Sequence, residues 1–172
     1  MSLIIRTHSE DGKVSKALYS PCQRYRYALS REWDATGKKL LFIMLNPSKA
    51  TELKNDPTIE RCERRALALG YGAFTACNLF AFCATDPRDL KKEKEPIGPD
   101  NLVEILKAAD WADDILCAWG THGAHMGIGP AIGALLRHNG YNLLHLGLSK
   151  DGHPKHPLYI GYQEQPRHWE VT

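Results

Sequence analysis

Apolar residues in this chain come in short runs closed by turn residues. Leu40, Leu41, Phe42, Ile43, Met44 and Leu45 are six in a row, and Asn46-Pro47-Ser48 stops them. A run of that length bounded by turn chemistry reads as a strand buried on both faces, as inside a parallel sheet. Other runs repeat the pattern. Phe74-Thr75-Ala76-Cys77 is closed by Asn78, Ile115-Leu116-Cys117-Ala118-Trp119 by Gly120, and residues 141–148 by Ser149-Lys150-Asp151-Gly152-His153.

Between these runs apolar residues recur at helical spacing. Asp56-Pro57 supplies an N-cap and a proline for the first turn. Ile59, Cys62, Ala66 and Leu69 follow on one face, and Gly70 and Gly72 end the segment. Gly98-Pro99-Asp100 opens a second helix with Leu102, Ile105, Leu106 and Ala109 as its stripe. A third, over residues 130–138, follows a glycine-rich loop and stops at Asn139-Gly140. Thr85 or Asp86 caps a shorter helix or turn, and the mixed charges of residues 91–95 predict a solvated connector. Ahead of the core, Tyr25, Tyr27 and Leu29 alternate with Arg24, Arg26, Ala28 and Ser30, and Asp34-Ala35-Thr36-Gly37 supplies a turn. That predicts an amphipathic edge strand lying antiparallel to residues 40–45.

Strands alternating with helices argue for βαβ units, and therefore for a three-layer α/β/α sandwich with a mainly parallel central sheet. The chain reads as one α/β domain: an antiparallel lead-in over residues 1–39, a core over 40–158, and a tail from 159 with a possible edge strand. Right-handed crossovers put every strand's carboxyl end on one side, where such sheets bind ligands. Asn46, Asn78, Trp119-Gly120-Thr121 and the segment 149–156 are then expected around one crevice.

Composition narrows the class without changing the fold. Hydrophobic residues make up 43% and charged residues 24% of 172, an ordinary globular balance. The apolar runs are far too short to span a bilayer, and no signal peptide is visible near the start. The five cysteines lack C-x-x-C spacing and lie mostly in apolar patterns, which predicts reduced, packed thiols and a cytoplasmic protein. A net charge of +2 permits contact with nucleic acid without arguing for it.

The expected crevice is rich in amides and imidazoles and poor in carboxylates. An Asn side chain offers one acceptor and two donors, matching the edge of a nucleobase. His153-Pro154-Lys155-His156-Pro157 concentrates two imidazoles in a segment stiffened by prolines, where a His can donate to a developing anion. His122 and His125 repeat the three-residue spacing, so paired histidines, with Asp151, are an alternative metal site for a hydrolase. The loop holding Gly120, Gly123, Gly127 and Gly129 could cradle a phosphate, yet it matches neither the P-loop nor the dinucleotide fingerprint. No motif calls for a cofactor, and no G-x-S-x-G elbow supplies an acyl-transfer nucleophile.

Several stretches together resemble a bacterial family, domain of unknown function 1643. They are Leu45-Asn46-Pro47-Ser48-Lys49-Ala50, Asn55-Asp56-Pro57-Thr58, Cys77-Asn78-Leu79-Phe80, Ala84-Thr85-Asp86-Pro87, Ala118-Trp119-Gly120 and residues 150–159. The order of strand ends is more distantly similar to the uracil-DNA glycosylase superfamily. Met44-Leu45-Asn46-Pro47 resembles its water-positioning motif, and Cys77-Asn78 the strand end whose Asn reads the base. Residues 115–123 resemble its apolar-Trp-Gly strand. His153-Pro154 with Pro157-Leu158 resembles its last motif, where His stabilises the departing base and Leu wedges into DNA. This chain departs in having Asn at 46, which is no general base, no glycine at 44, and one extra residue that makes His153 and His156 rivals.

The resemblance implies a glycosylase-like protein that binds a nucleobase, nucleotide or nucleic acid and cleaves an N-glycosidic bond. Asn46 and His153 or His156 are the expected catalytic groups. Pro47, Ser48, Asn78, Trp119, Gly120, Thr121 and Leu158 are the expected binding groups. The alternative is a non-catalytic module using the same crevice.

Overall fold

The computed structural model describes residues 2–170. The strands are β1 (Ile4–Glu10), β2 (Lys13–Tyr19), β3 (Arg26–Glu32), β4 (Lys39–Met44), β5 (Ala73–Asn78), β6 (Asp114–Cys117), β7 (Leu143–His145) and β8 (Arg167–His168). The helices are α1 (Pro57–Ala68), α2 (Pro87–Lys92), α3 (Asn101–Trp111) and α4 (Ile128–His138), with 3-10 turns at Thr121–Gly127 and Pro157–Tyr159. All eight strands form one sheet in the order β1-β2-β3-β5-β4-β6-β7-β8.

The long apolar run is the centre of the sheet. Leu40, Leu41, Phe42 and Ile43 are fully buried. Leu40, Phe42 and Met44 face α1, meeting Ile59, Cys62 and Ala66. Leu41, Ile43 and Leu45 face the other way, toward Ile105 and Ala109 of α3 and Leu136 of α4. α1 begins as its sequence dictates: Asp56 accepts from the Ile59 N–H at 2.9 Å and Pro57 opens the first turn. Asp86, not Thr85, caps α2.

The four expected core strands are parallel neighbours, β5-β4-β6-β7. The sheet as a whole is mixed and not mainly parallel, because four of its seven pairings are antiparallel. The excess comes from residues 1–39, which hold a hairpin where only a lead-in was expected. Its turn is Asp11-Gly12, both with positive φ (50° and 77°), the backbone that a tight hairpin requires.

β3 is also not the partner of β4, because β5 lies between them. Gly72 enters that gap. Its carbonyl accepts from the N–H groups of Trp33 and Asp34, and its own N–H donates to Lys38 O at 2.8 Å. A Cβ there would lie 2.2 Å from Asp34 O, so only glycine fits. β3 carries a bulge, since Leu18 pairs with Ala28 while Tyr19 pairs with Arg26, leaving Tyr27 as the extra residue. The expected Tyr25-Tyr27-Leu29 stripe is broken there: Leu29 joins the cluster on the α1 side, and the two tyrosines pack with Ala81.

In α3 the buried face is Asn101, Ile105, Ala108 and Ala109, whereas Leu102 is exposed. β8 supplies the edge strand of the tail, whose last two residues lie outside the described ones. Among the described residues the five cysteines are free thiols, with Cys62, Cys77 and Cys117 buried. Burial pushes all three thiols up, Cys77 to about 12, which keeps them protonated and inert. No helix among the described residues is long and apolar enough to cross a membrane.

Candidate functional site

Beyond the carboxyl ends of β4 and β6, the start of α1 and the segment from Ser149 to Ile160 enclose a cleft of about 780 Å³. Asn46, Ser48, Trp119, Gly120, Thr121, His153, His156 and Leu158 all line it, so most of the expected site is gathered. Pro47 and Asn78 are not among the lining residues.

Asn46 follows β4 directly, and its amide is held on one side. Nδ2 donates to Pro47 O at 2.9 Å and to Ala84 O at 2.7 Å. Both amide hydrogens are thereby taken up, and Oδ1 is the group left for a ligand. Pro47 is buried, and its carbonyl also accepts from the Ala84 N–H at 3.0 Å. It supports Asn46 and does not face the cleft.

Asn78 is also buried, 1% exposed, and its Nδ2 has no partner among the described residues. It is level with Met44 in the β4–β5 register. Two residues of β-chain separate it from the level of Asn46, which is occupied by Phe80.

The histidine segment crosses the mouth of the sheet in short, bonded steps. Ser149 N–H donates to His153 O at 2.8 Å, His153 N–H to Ser149 Oγ at 3.1 Å, and Lys155 N–H to Gly147 O at 2.9 Å. Gly120 N–H donates to Pro154 O at 2.8 Å, tying the segment to the end of β6. His156 is the more constrained of the two rivals. Its Nδ1 accepts from the Leu158 N–H at 3.3 Å, so in the neutral ring the proton sits on Nε2. Burial lowers its pKa against a smaller upward pull from the Asp56 carboxylate. His156 is therefore a neutral donor at physiological pH.

Trp119 contributes differently from what its motif suggests. Its side chain is 1% exposed and packs against the Trp169 ring, with centroids 5.7 Å apart. A Cβ at Gly123 would lie 2.1 Å from Trp119 Cδ1, and one at Gly129 would lie 2.7 Å from Nε1. These two glycines of the loop admit an indole, which accounts for them without a phosphate.

The paired histidines do not form a metal centre. His122 lines the cleft, but His125 packs on Phe80 with ring centroids 5.5 Å apart. Among the described residues no group of three His, Cys, Asp or Glu side chains gathers tightly enough to hold an ion.

Sequence reading missed Lys49, Thr58, Ala84, Tyr159 and Ile160 as lining residues. Thr58 was within reach of sequence argument, because a crossover from β4 brings the first turn of α1 beside the strand ends. The Asp56 carboxylate is occupied, accepting from Ile59 N–H at 2.9 Å and Ala50 N–H at 3.3 Å. Lys49 and Lys155 are thus the lining side chains whose charge has no ion-pair partner among the described residues.

Comparison with curated proteins and with solved structures finds no match to this chain. Residues 26–158 match the family described as a protein of unknown function, DUF1643. That span covers the strand ends, the cleft and most of the core, and the chain belongs to this family.

Proposed function

We propose that the cleft binds a nucleobase carried on a nucleotide or nucleic acid, and that the protein cleaves the N-glycosidic bond. The observation that carries this reading is that one cleft is lined by two held side chains, Asn46 through Nδ2 and His156 through Nδ1, which leaves Asn46 Oδ1 as an acceptor and His156 Nε2–H as a donor with no partner among the described residues. The order of strand-end motifs and the helices on both faces of the sheet support kinship with the uracil-DNA glycosylase fold.

In this reaction the C1′–N bond breaks and its electron pair leaves with the base. The sugar gains oxocarbenium character and the base becomes an anion. His156 Nε2–H donates to that anion, where a neutral donor costs little to hold ready. Asn46 Oδ1 accepts from a water that adds to C1′, and the proton released goes to solvent, because an amide cannot take it. Leu158 and the exposed Tyr159 flank the base. Removing such a donor typically lowers turnover by about two to three orders of magnitude.

The test is cleavage of oligonucleotides carrying uracil, hypoxanthine or a mismatch, alongside thermal shift with bases, nucleosides and nucleotides. Cleavage that falls a hundredfold in His156→Ala supports the reading. No cleavage by wild type at enzyme excess removes the enzymatic half of it. The second reading, a non-catalytic nucleotide-binding module, is favoured by one feature: the one carboxylate lining the cleft among the described residues, Asp56, caps a helix. Binding without turnover selects it, and no binding of any base-bearing compound rejects both.

A further inference from the structure

α1 carries two arginines whose charge is directed at main-chain carbonyls. Arg61 donates from Nε to Pro157 O at 3.1 Å and from Nη2 to Ile160 O. Arg65, one turn further on and 1% exposed, donates from Nη1 to Glu164 O at 3.0 Å. Its Nη2 donates to Ile160 O at 2.9 Å and to Gly161 O at 3.2 Å. Both guanidinium groups lie over the Tyr162 ring, 4.6 and 5.4 Å from its centroid. Neither has a carboxylate partner among the described residues.

Burying a guanidinium without a counter-charge is costly, and desolvation lowers the pKa of Arg65 accordingly. The planar fork suits several carbonyls at once, which an ammonium cannot serve. The segment it holds has few bonds of its own. Pro157 has no N–H, and only the Ile160 N–H to Pro157 O bond at 3.2 Å and the Glu164 N–H to Gly161 O bond at 3.2 Å run within it. That segment contains the 3-10 turn from which Leu158 N–H reaches His156 Nδ1.

We propose that Arg61 and Arg65 are positioning residues. By holding the carbonyls of Pro157, Ile160 and Gly161 they fix the turn whose Leu158 N–H pins Nδ1 of His156, and so decide which imidazole nitrogen carries its proton into the cleft. The effect on the imidazole stands on geometry alone; its importance for turnover rests on the glycosylase reading.

The experiment uses the full chain without any ligand. Long-range proton–nitrogen correlation spectra of ¹⁵N-labelled protein at pH 8 read the tautomer of His156, assigned with His156→Gln. Amide exchange is followed in the same samples. Wild type should hold His156 in the Nε2–H form. Arg61→Met should move its signals toward the mixed tautomers of free imidazole. Exchange of the amides from 158 to 164 should rise about tenfold, as expected for loss of charged hydrogen bonds, with residues 46–55 unchanged. Arg61→Lys should fall between, since it keeps the charge but not the fork. Tyr162→Leu, a milder change, should give a smaller shift in the same direction and serves if Arg61→Met does not fold. A folded variant that loses stability while His156 keeps its wild-type tautomer overturns the proposal and leaves the two arginines as stabilisers only. Because no substrate enters the measurement, failure here is separate from failure of the cleavage assay.

Discussion

Asn46 and Asn78 stand at the ends of neighbouring parallel strands and look alike in sequence, yet they do different things. Asn46 lies two residues past Met44, in the loop, where it lines the cleft with its amide hydrogens held by two carbonyls. Asn78 is the last residue of β5 and level with Met44, so it is still within the sheet. Its backbone carbonyl is engaged by Asn101 Nδ2 at 2.8 Å while its own Nδ2 is buried without a partner among the described residues. Two residues of register, about 6.6 Å of strand, separate a cleft-lining amide from a core one. Strand ends form one rim only when the register brings them to the same height.

The largest effect expected from this comparison is on turnover, under the glycosylase reading. Asn46→Ala should lower cleavage by about a hundredfold, as loss of a positioned polar contact does, whereas Asn78→Ala should leave the choice among bases unchanged. Single-turnover rates on uracil and hypoxanthine oligonucleotides, measured in parallel, decide it. If Asn78→Ala alters base preference, Asn78 reaches the ligand after all and the contrast fails.

The next effect is on stability. Asn46→Asp preserves shape but replaces an amide that donates to Pro47 O and Ala84 O with a carboxylate facing the same two oxygens. It should cost about 1 kcal/mol at neutral pH, the low end of the penalty for a polar contact turned repulsive, because Asn46 is only half-buried. The carboxyl would have a raised pKa in the folded state, so the deficit relative to wild type should shrink as pH falls through that value. Urea unfolding at pH 7 and pH 5 measures it; an equal deficit at both values would mean that the carboxylate escapes the carbonyls.

An effect of similar size is expected at Asn78. Asn78→Ala removes a buried amide that makes no bond through Nδ2, so the relief of desolvation offsets part of the cavity it leaves. The net change should stay within about 1–2 kcal/mol. A loss well above that would mean that a buried water completes the amide's bonding.

These two residues also mark how far the sequence was legible. The apolar run of β4, the capped start of α1 and the order of the parallel strands follow from local pattern, because burial on two faces and helix capping are written in neighbouring residues. The Asp11-Gly12 hairpin is written in its turn pair as well. Gly72 between Asp34 and Gly37, the bulge at Tyr27 and the height of Asn78 are not, since each depends on residues far apart in the chain. The same holds for Arg61 and Arg65. At helical spacing they look like a solvated face, and only the return of the chain at 157–164 gives them carbonyls to hold.

The smallest expected effect concerns pH and sharpens the contrast between the cleft's polar groups. The folded pKa of His156 is lowered by burial, and that of His145 by burial and the nearby Arg167 charge. The unfolded chain therefore binds more protons than the folded one below the ordinary His value of about 6.5. Stability from these two groups is fully present above that value and declines as pH falls toward their folded pKa values. Asp34, Glu60 and Asp86, all held below the usual carboxylate range by hydrogen bonds, add their own loss only at lower pH. Urea unfolding from pH 8 to pH 5 should show a gentle fall that His156→Gln reduces and Asn46→Ala leaves alone. An unchanged slope in His156→Gln would mean that its ring is well solvated, and with that the case for a neutral donor in the cleft would weaken.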